Sequence, residues 1–148
     1  MTEHDPRALQ ISRRYEDGPE RVFDAWLDPA RAGRWLFATP TGRMVKVELD
    51  GRVGGRFTIT RRDEDEETEH VGQYLEVDRP QRLVFTFGVP RYDEGAPPTR
   101  VTVHVEPDRT GSVLTLTHEG VPPQWTEQTL EGWEQMLEGL AREIGNRK

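Results

Sequence analysis

The chain has 148 residues, a length typical of one domain, and its formal net charge is −7. The acidic balance argues against a general affinity for nucleic acid or for an anionic membrane surface. The chain contains no cysteine, which excludes disulfide bonds, a thiol nucleophile and a zinc–thiolate site. No apolar run approaches the roughly 18 residues of a membrane span, and residues 1–6 are too polar for a signal peptide. We therefore expect a single domain over residues 1–148, located in the cytoplasm and without membrane insertion.

The N-terminal part of the chain predicts one strand followed by two short helices. Residues 1–7 are polar and are expected to form a disordered tail. Apolar and polar residues alternate from Leu9 to Tyr15, as in a strand with one buried face. Asp17-Gly18-Pro19 has turn chemistry, and a proline suits the first turn of the helix that follows. Asp28-Pro29 ends that helix, and a second short helix is predicted through Ala30 to Leu36.

The central part of the chain, from Val45 to Thr117, predicts about six further strands. Apolar residues recur at every second position, so each strand has one buried side and one solvent-facing side. Short connections such as Asp78-Arg79-Pro80-Gln81 favour antiparallel pairing. A sheet of this many strands curls, and Gly54-Gly55 and Gly72 are candidate bend points.

A block of acidic residues interrupts the strands. Six of the seven residues from Asp63 to Glu69 are acidic, which predicts a solvated hairpin tip because like charges repel and stay in water. In this interpretation His70 begins the next strand, which continues from Val71 to Val77. A cation-binding tip is the alternative, but the block lacks the ligand spacing of a calcium loop.

The C-terminal segment predicts one long amphipathic helix. Its apolar residues recur at steps of three and four, which places them on one face. They are Leu130, Trp133, Met136, Leu137, Leu140, Ala141 and Ile144. An antiparallel sheet needs cover on one face only, and this helix supplies it. The predicted fold class is α+β, with the long helix lying across a curved antiparallel sheet.

The space between helix and sheet is either a plain core or a ligand cavity. Turn geometry and apolar parity place nine strand residues on the concave face: Leu75, Val77, Leu83, Phe85, Phe87, Val103, Val105, Leu114 and Leu116. The helix residues that face them are Trp133, Met136, Leu137 and Leu140, and Trp35 and Leu36 are placed to close one end. Gly132 costs the helix about 1 kcal/mol relative to alanine. It either packs closely on the sheet or leaves room for a ligand beside Trp133.

His118 is the polar residue of most interest. It has the same parity as the inward-facing Leu116, so it should point towards the helix near the end of its strand. A neutral imidazole there can bond to a ligand, to the backbone or to solvent. Tyr74 faces outward if Leu75 faces inward, and a one-residue slip would reverse both. A metal site built from the histidines would need three strands to converge without a carboxylate, so no metal is expected.

Five blocks in order resemble the START-like, or SRPBCC, superfamily. They are PERVFDAWLDPARAGRWL, DGRVGGRF, GQYLEVDRPQRLVFTF, LTLTHEG and GWEQMLEGL, and together they span about Leu9 to Leu140. The branch they resemble most is related to the activator of the ninety-kilodalton heat-shock-protein ATPase (Aha-like). The resemblance implies the helix-grip fold, in which a curved antiparallel sheet of about six or seven strands wraps the C-terminal helix and leaves a cavity. It also implies ligands such as lipids, sterols, hormones or polyketides.

Three functions compete at this point. The first is a binding module for a small hydrophobic molecule, needing no cofactor and no nucleic acid partner. Its candidate ligand-binding residues are Trp35, Leu36, Phe57, Leu75, Phe85, Phe87, Val103, Leu116, His118, Trp133, Met136 and Leu137. The second is an enzyme of the polyketide cyclase or aromatase kind, with His118 or a tyrosine moving protons. The third is a co-chaperone or interaction module, which would need a large exposed apolar patch.

Overall fold

The computed structural model of the chain describes residues 8–39, 41–93 and 96–145. The predicted tail, residues 1–7, lies outside these ranges. The elements in chain order are β1 (Leu9–Tyr15), α1 (Pro19–Leu27), α2 (Pro29–Trp35), β2 (Arg43–Leu49), β3 (Arg56–Asp63), β4 (Glu66–Asp78), β5 (Arg82–Phe87), the short α3 (Pro90–Asp93), β6 (Thr99–Asp108), β7 (Gly111–Glu119), a 3₁₀ turn (Pro123–Trp125) and α4 (Thr126–Gly145).

Within the described residues, seven strands form one curved antiparallel sheet in the order β1-β7-β6-β5-β4-β3-β2. Strands that follow one another along the chain are neighbours from β2 to β7, as their short connections predict. β1 pairs beside β7, so β1 and β2 form the two edges. The predicted α+β class, the antiparallel pairing and the strand number are confirmed.

The two predicted short helices are confirmed, and α2 begins and ends one residue earlier than the predicted range. α1 starts at Pro19, whose fixed backbone angle suits the first helical turn. Asp28 then ends α1 and caps α2, because its side-chain oxygen accepts a hydrogen bond from the backbone nitrogen of Ala30 at 3.1 Å. Trp26 of α1 and Trp35 of α2 are buried in the same core as the sheet.

α4 lies across the same face of the sheet and is attached to it at several points. It buries Trp133, Leu137, Leu140 and Ile144, at steps of four, three and four. Each large apolar side chain removed from water contributes about 1.5–3 kcal/mol. The hydroxyl of Tyr15 in β1 donates a 2.8 Å hydrogen bond to the carbonyl of Leu137, and Arg34 of α2 makes a bidentate pair with Glu143. The concave face of the sheet is therefore covered by α1, α2 and α4.

One predicted facing is wrong, because β4 contains a bulge. The register against β5 shifts between Tyr74 and Glu76, so one extra residue occupies the position of Leu75. Leu75 is therefore 43% exposed, while Tyr74 faces the core and is 3% exposed. A similar irregularity in β2 leaves Val45 on the outside.

The acidic block is also organised differently from the prediction. β4 begins at Glu66, so the turn itself is only Glu64 and Asp65, and His70 lies within the strand. The acids in the strand lie near arginines: Glu67 is 3.8 Å from Arg62 and Glu66 is 3.7 Å from Arg91. The repulsion within the block is thus partly offset by neighbouring positive charges.

Candidate functional site

The predicted lining residues come together in one cluster on the concave face, with the exception of Leu75. Nine of the twelve are almost completely buried: Trp35, Leu36, Phe57, Phe85, Val103, Leu116, His118, Trp133 and Leu137. Phe87 and Met136 are partly buried against the same cluster. The inward parity of β5, β6 and β7 is confirmed, since Val103 lies opposite both Leu83 and Leu116.

Aromatic rings fill the space between α4 and the sheet. The ring of Trp26 lies 6.2 Å from Phe85 and 6.1 Å from Trp133, so this α1 side chain contacts both the sheet and α4. Trp26 also meets Trp35 edge-to-face at 4.7 Å. Such separations are ordinary contact distances for aromatic pairs. The side chains of the described residues therefore occupy the place at which a cavity was expected.

His118 is the centre of a directed chain of hydrogen bonds. The indole nitrogen of Trp133 donates to His118 Nδ1 at 3.0 Å. A neutral imidazole that accepts at Nδ1 carries its proton on Nε2, which then donates to the hydroxyl of Thr99 at 2.7 Å. Thr99 in turn donates to the carbonyl of Phe87 at 3.1 Å. The inward facing of His118 is confirmed, and its partners are side chains rather than backbone or solvent.

Burial keeps His118 neutral. The side chain is 1% exposed, and this loss of hydration lowers the pKa of its imidazole to about 4. A group with that pKa is deprotonated at neutral pH and serves as a hydrogen-bonding group rather than as a charge. The Trp133–His118 pair thus places a fixed polar group inside an otherwise apolar region.

Two residues that sequence reasoning missed lie at the middle of the site. Phe37, in the loop after α2, is 3% exposed, and its ring stacks on the imidazole of His70 at 4.5 Å with 2° between the planes. His70 is buried in β4 and donates from Nδ1 to the carbonyl of Ile59 at 3.0 Å, since a carbonyl only accepts. The pKa of His70 is also lowered to about 4, and burial is the main cause of this shift.

Sequence signals for these two residues existed but were weak. His70 has the parity of Tyr74 and lies opposite Ile59, which a two-residue turn at Glu64 and Asp65 would have predicted. Phe37 belongs to no periodic segment. Its only signal is that an aromatic residue directly follows the apolar pair Trp35-Leu36.

Trp26 has a buried polar atom without a partner. Its indole nitrogen is shielded from solvent and meets no hydrogen-bond acceptor among the described residues. A buried donor left unpaired costs about 1–3 kcal/mol, so such atoms are uncommon in native structures.

Two pockets formed by the described residues open on the opposite, convex face of the sheet. The first has a volume of about 490 Å³ and includes Thr58, Val71 and Thr86, with Arg56 at its side. The second has a volume of about 500 Å³ and lies around Lys46, Thr60 and two acidic residues of β4. Neither contains a residue of α4, so neither is the cavity that the sequence predicts.

The remaining chemistry of the site is limited. In residues 8–39, 41–93 and 96–145, no three histidine, aspartate or glutamate side chains are grouped so as to hold a metal ion. No helix in the same ranges combines the length and the apolar character needed to cross a membrane.

Gly132 is not packed closely on the sheet, since a Cβ added there would meet nothing within 4 Å.

Solved structures of several bacterial proteins share this fold. A crystal structure of protein CV1439 from Chromobacterium violaceum is 30% identical to this chain, with a TM-score of 0.84, and the match covers 94% of this chain and 97% of that protein. The solution structure of an AHSA1-like protein from Aeromonas hydrophila is 24% identical, with a TM-score of 0.80, over 93% of this chain and 92% of that one. A Nitrosomonas europaea protein is 20% identical, with a TM-score of 0.83, over 99% and 100%. At these last two identities the likeness concerns the fold alone.

At the level of sequence families the match is also extensive. No curated protein matches the chain. Residues 18–145, however, match the family described as Activator of Hsp90 ATPase homolog 1-like protein. That range includes α1, α2, all strands but β1, and α4. The resemblance found in the sequence is thereby confirmed, and the chain belongs to the family of Activator of Hsp90 ATPase homolog 1-like proteins.

Proposed function

We propose that the protein binds a small hydrophobic or aromatic molecule between the concave face of the sheet and α4. The observation that carries this proposal is the composition of the cluster, in which aromatic rings surround a few fixed nitrogen groups. Ligand sites have this composition, mostly apolar with a small number of polar groups that fix orientation. The proposed lining residues are Trp35, Leu36, Phe57, Phe85, Phe87, Val103, Leu116, His118, Trp133, Met136 and Leu137. A cytoplasmic location stays a prediction from the sequence.

The unpaired indole nitrogen of Trp26 supports this proposal. It is buried among the rings of Trp35, Phe85 and Trp133, on the same side of the sheet as His118. A ligand with a hydrogen-bond acceptor would relieve the cost of this unpaired donor.

An enzyme is the alternative to a binding function, and the observation that favours an enzyme is the second buried histidine. His70 and His118 both contact the ring of Phe87, at 6.1 and 5.6 Å between centroids, so two titratable groups flank one region. A general base works best with a pKa near the operating pH. Burial lowers both pKa values to about 4, so at neutral pH these imidazoles are weak bases. The lowered pKa values of these two imidazoles therefore favour binding over proton transfer at neutral pH.

The fluorescent probe N-phenyl-1-naphthylamine tests the proposal, because its emission rises in an apolar site. Met136 lies at the partly exposed edge of α4, and Thr58 lies in the convex pocket. Met136→Trp places a bulky indole at the proposed site, and Thr58→Trp places the same side chain on the other face. We expect the first variant to weaken the binding of the probe about tenfold, a change of about 1.4 kcal/mol, and the second to leave it unchanged. Absence of binding to the wild type, or loss of binding in Thr58→Trp alone, would overturn the proposal.

A further inference from the structure

Phe37 occupies the centre of the proposed ligand site although it belongs to a loop. Its ring lies 5.2 Å from Phe87, 6.1 Å from Phe57 and 6.1 Å from Trp133, in addition to the stack on His70. It therefore touches both the sheet and α4. This ring belongs to a loop, residues 36–39, which follows α2 and lies outside regular secondary structure.

The backbone of Phe37 adopts a conformation that L-residues rarely use. Its φ angle is 60°, in the left-handed region, where a residue with a side chain is strained. Such strain persists only where surrounding contacts hold it, and it is frequent at ligand clamps and switch regions. A local rearrangement of this loop would release the strain.

Three of the loop's polar contacts join it to side chains of α4 and β3. The backbone nitrogen of Phe37 donates to the sulfur of Met136 at 3.0 Å, and its carbonyl accepts from Arg61 Nη1 at 2.9 Å. The hydroxyl of Thr39 donates to Asp63 at 3.2 Å. Arg61 also donates from Nε to Asp63 at 2.7 Å, so its charge is already balanced. Arg61 Nη1 is thus a donor suited to a neutral acceptor, a position that the Phe37 carbonyl fills in this structure.

We propose that Phe37 is a displaceable plug that stands in for the ligand, and that the ligand is an aromatic compound bearing a neutral carbonyl oxygen. When the loop withdraws, the ligand ring takes the place of the Phe37 ring between His70 and Trp133. The ligand carbonyl then takes the place of the Phe37 carbonyl on Arg61 Nη1. This inference rests on the proposed binding function and assigns to it a ligand class and an entry step.

Displacement of the plug lowers the apparent affinity. If the binding-competent state is a minor fraction of the molecules, the apparent dissociation constant rises by the inverse of that fraction. Removal of the plug should therefore tighten binding. Phe37→Gly removes the ring, and glycine accepts a positive φ without strain. In that variant we expect 4-phenylbutan-2-one, which has a ring and one carbonyl, to bind about tenfold more tightly than in the wild type, by calorimetry.

The carbonyl requirement is tested on Arg61. In the Phe37→Gly background, Arg61→Met should weaken the binding of 4-phenylbutan-2-one about fivefold, and should leave the binding of toluene, which has the ring alone, unchanged. Arg56→Met on the convex face is the matched control and should change neither. An equal loss of affinity for both compounds would show that Arg61 does not bind the carbonyl oxygen of the ligand.

Movement of the plug is tested on the otherwise unchanged chain, so the result does not depend on how the variants fold. With 4-fluorophenylalanine at position 37, the fluorine resonance should move towards its solvent-exposed value as 4-phenylbutan-2-one is added. With the label at Phe23, which is buried in α1, it should not move.

The outcomes separate this inference from the proposed function. If the naphthylamine probe binds as expected but the fluorine at position 37 stays unchanged and Phe37→Gly binds no more tightly, the plug is wrong and the binding function stands. If neither probe binds on the concave face in the wild type or in Phe37→Gly, both proposals fail.

Discussion

The indole nitrogen of Trp133 lies 3.0 Å from Nδ1 of His118, and this hydrogen bond joins α4 to β7 inside the core. Because Nδ1 accepts, the proton of the neutral imidazole is fixed on Nε2 and the ring cannot reorient freely. The hydroxyl of Thr99 accepts a hydrogen bond from that Nε2–H group and extends the chain of hydrogen bonds to β6. The position of the long helix over the sheet is thus specified by a polar contact as well as by apolar packing.

The energy of the Trp133–His118 contact is measurable by a double-mutant cycle. Trp133→Phe removes the donor and His118→Leu removes the acceptor. Each single variant leaves the other partner unpaired in the core, at a cost of about 1–3 kcal/mol. We expect the double variant to lose about 1–2 kcal/mol less than the sum of the two single losses in urea unfolding. Additive losses would mean that the hydrogen bond between Trp133 and His118 contributes nothing to the free energy of unfolding.

The two buried histidines make stability depend on pH. Burial lowers both pKa values to about 4 in the folded chain, whereas an unfolded histidine has a pKa of about 6.5. Below the unfolded value the unfolded chain binds more protons, so stability is fully present above about pH 6.5 and falls as the pH decreases towards 4. Between about pH 7.5 and about pH 5 we expect each histidine to remove about 2 kcal/mol from the free energy of unfolding.

Single variants show which histidines cause this dependence of stability on pH. His118 faces only uncharged partners, and His70 lies near Arg61 and Asp63, whose effects on its pKa oppose each other. His118→Gln and His70→Gln should each remove about half of the pH-dependent change in the free energy of unfolding. His104, on the other face and 40% exposed, is the control, and His104→Gln should leave the change intact. An unaltered change in both core variants would contradict the neutral buried state.

The two inner glycines of α4 provide a matched stability test. A Cβ at Gly132 would meet nothing within 4 Å, whereas a Cβ at Gly139 would lie 3.4 Å from the Cβ of Trp35. Gly132→Ala should therefore raise the free energy of unfolding by about 0.5–1 kcal/mol through helix propensity alone. Gly139→Ala should gain less, because the new methyl group presses on α2. A loss of stability in Gly132→Ala would show an unrecognised close contact.

Much of this fold is predictable because burial imposes a period on the sequence. Alternation in β5 to β7 places Val103 and Leu116 correctly, and steps of three and four place Trp133 on α4. The same rule predicts the inward facing of His118, since a strand-end residue keeps the parity of its strand. Where the backbone stays regular, position alone determines the facing.

The errors occur where the backbone is irregular. The bulge in β4 reverses the alternation of inward and outward residues, which exposes Leu75 and buries Tyr74. No residue type at this position indicates the bulge. Phe37 lies in a loop with a left-handed backbone, so no period reports its burial. Whether rings fill the space between helix and sheet depends on side-chain packing in three dimensions, which a one-dimensional pattern does not encode.

The proposed ligand site lies between the concave face and α4. The four tryptophans report on it directly, because Trp26, Trp35 and Trp133 are buried on that face and Trp125 is exposed before α4. The measurement is a titration of the ¹⁵N-labelled chain with N-phenyl-1-naphthylamine, followed by the indole N–H signals. We expect the signals of Trp26 and Trp133 to shift while that of Trp125 stays in place. Unchanged signals for Trp26 and Trp133, with shifts confined to backbone amides of the convex pocket such as Thr58 and Val71, would contradict it.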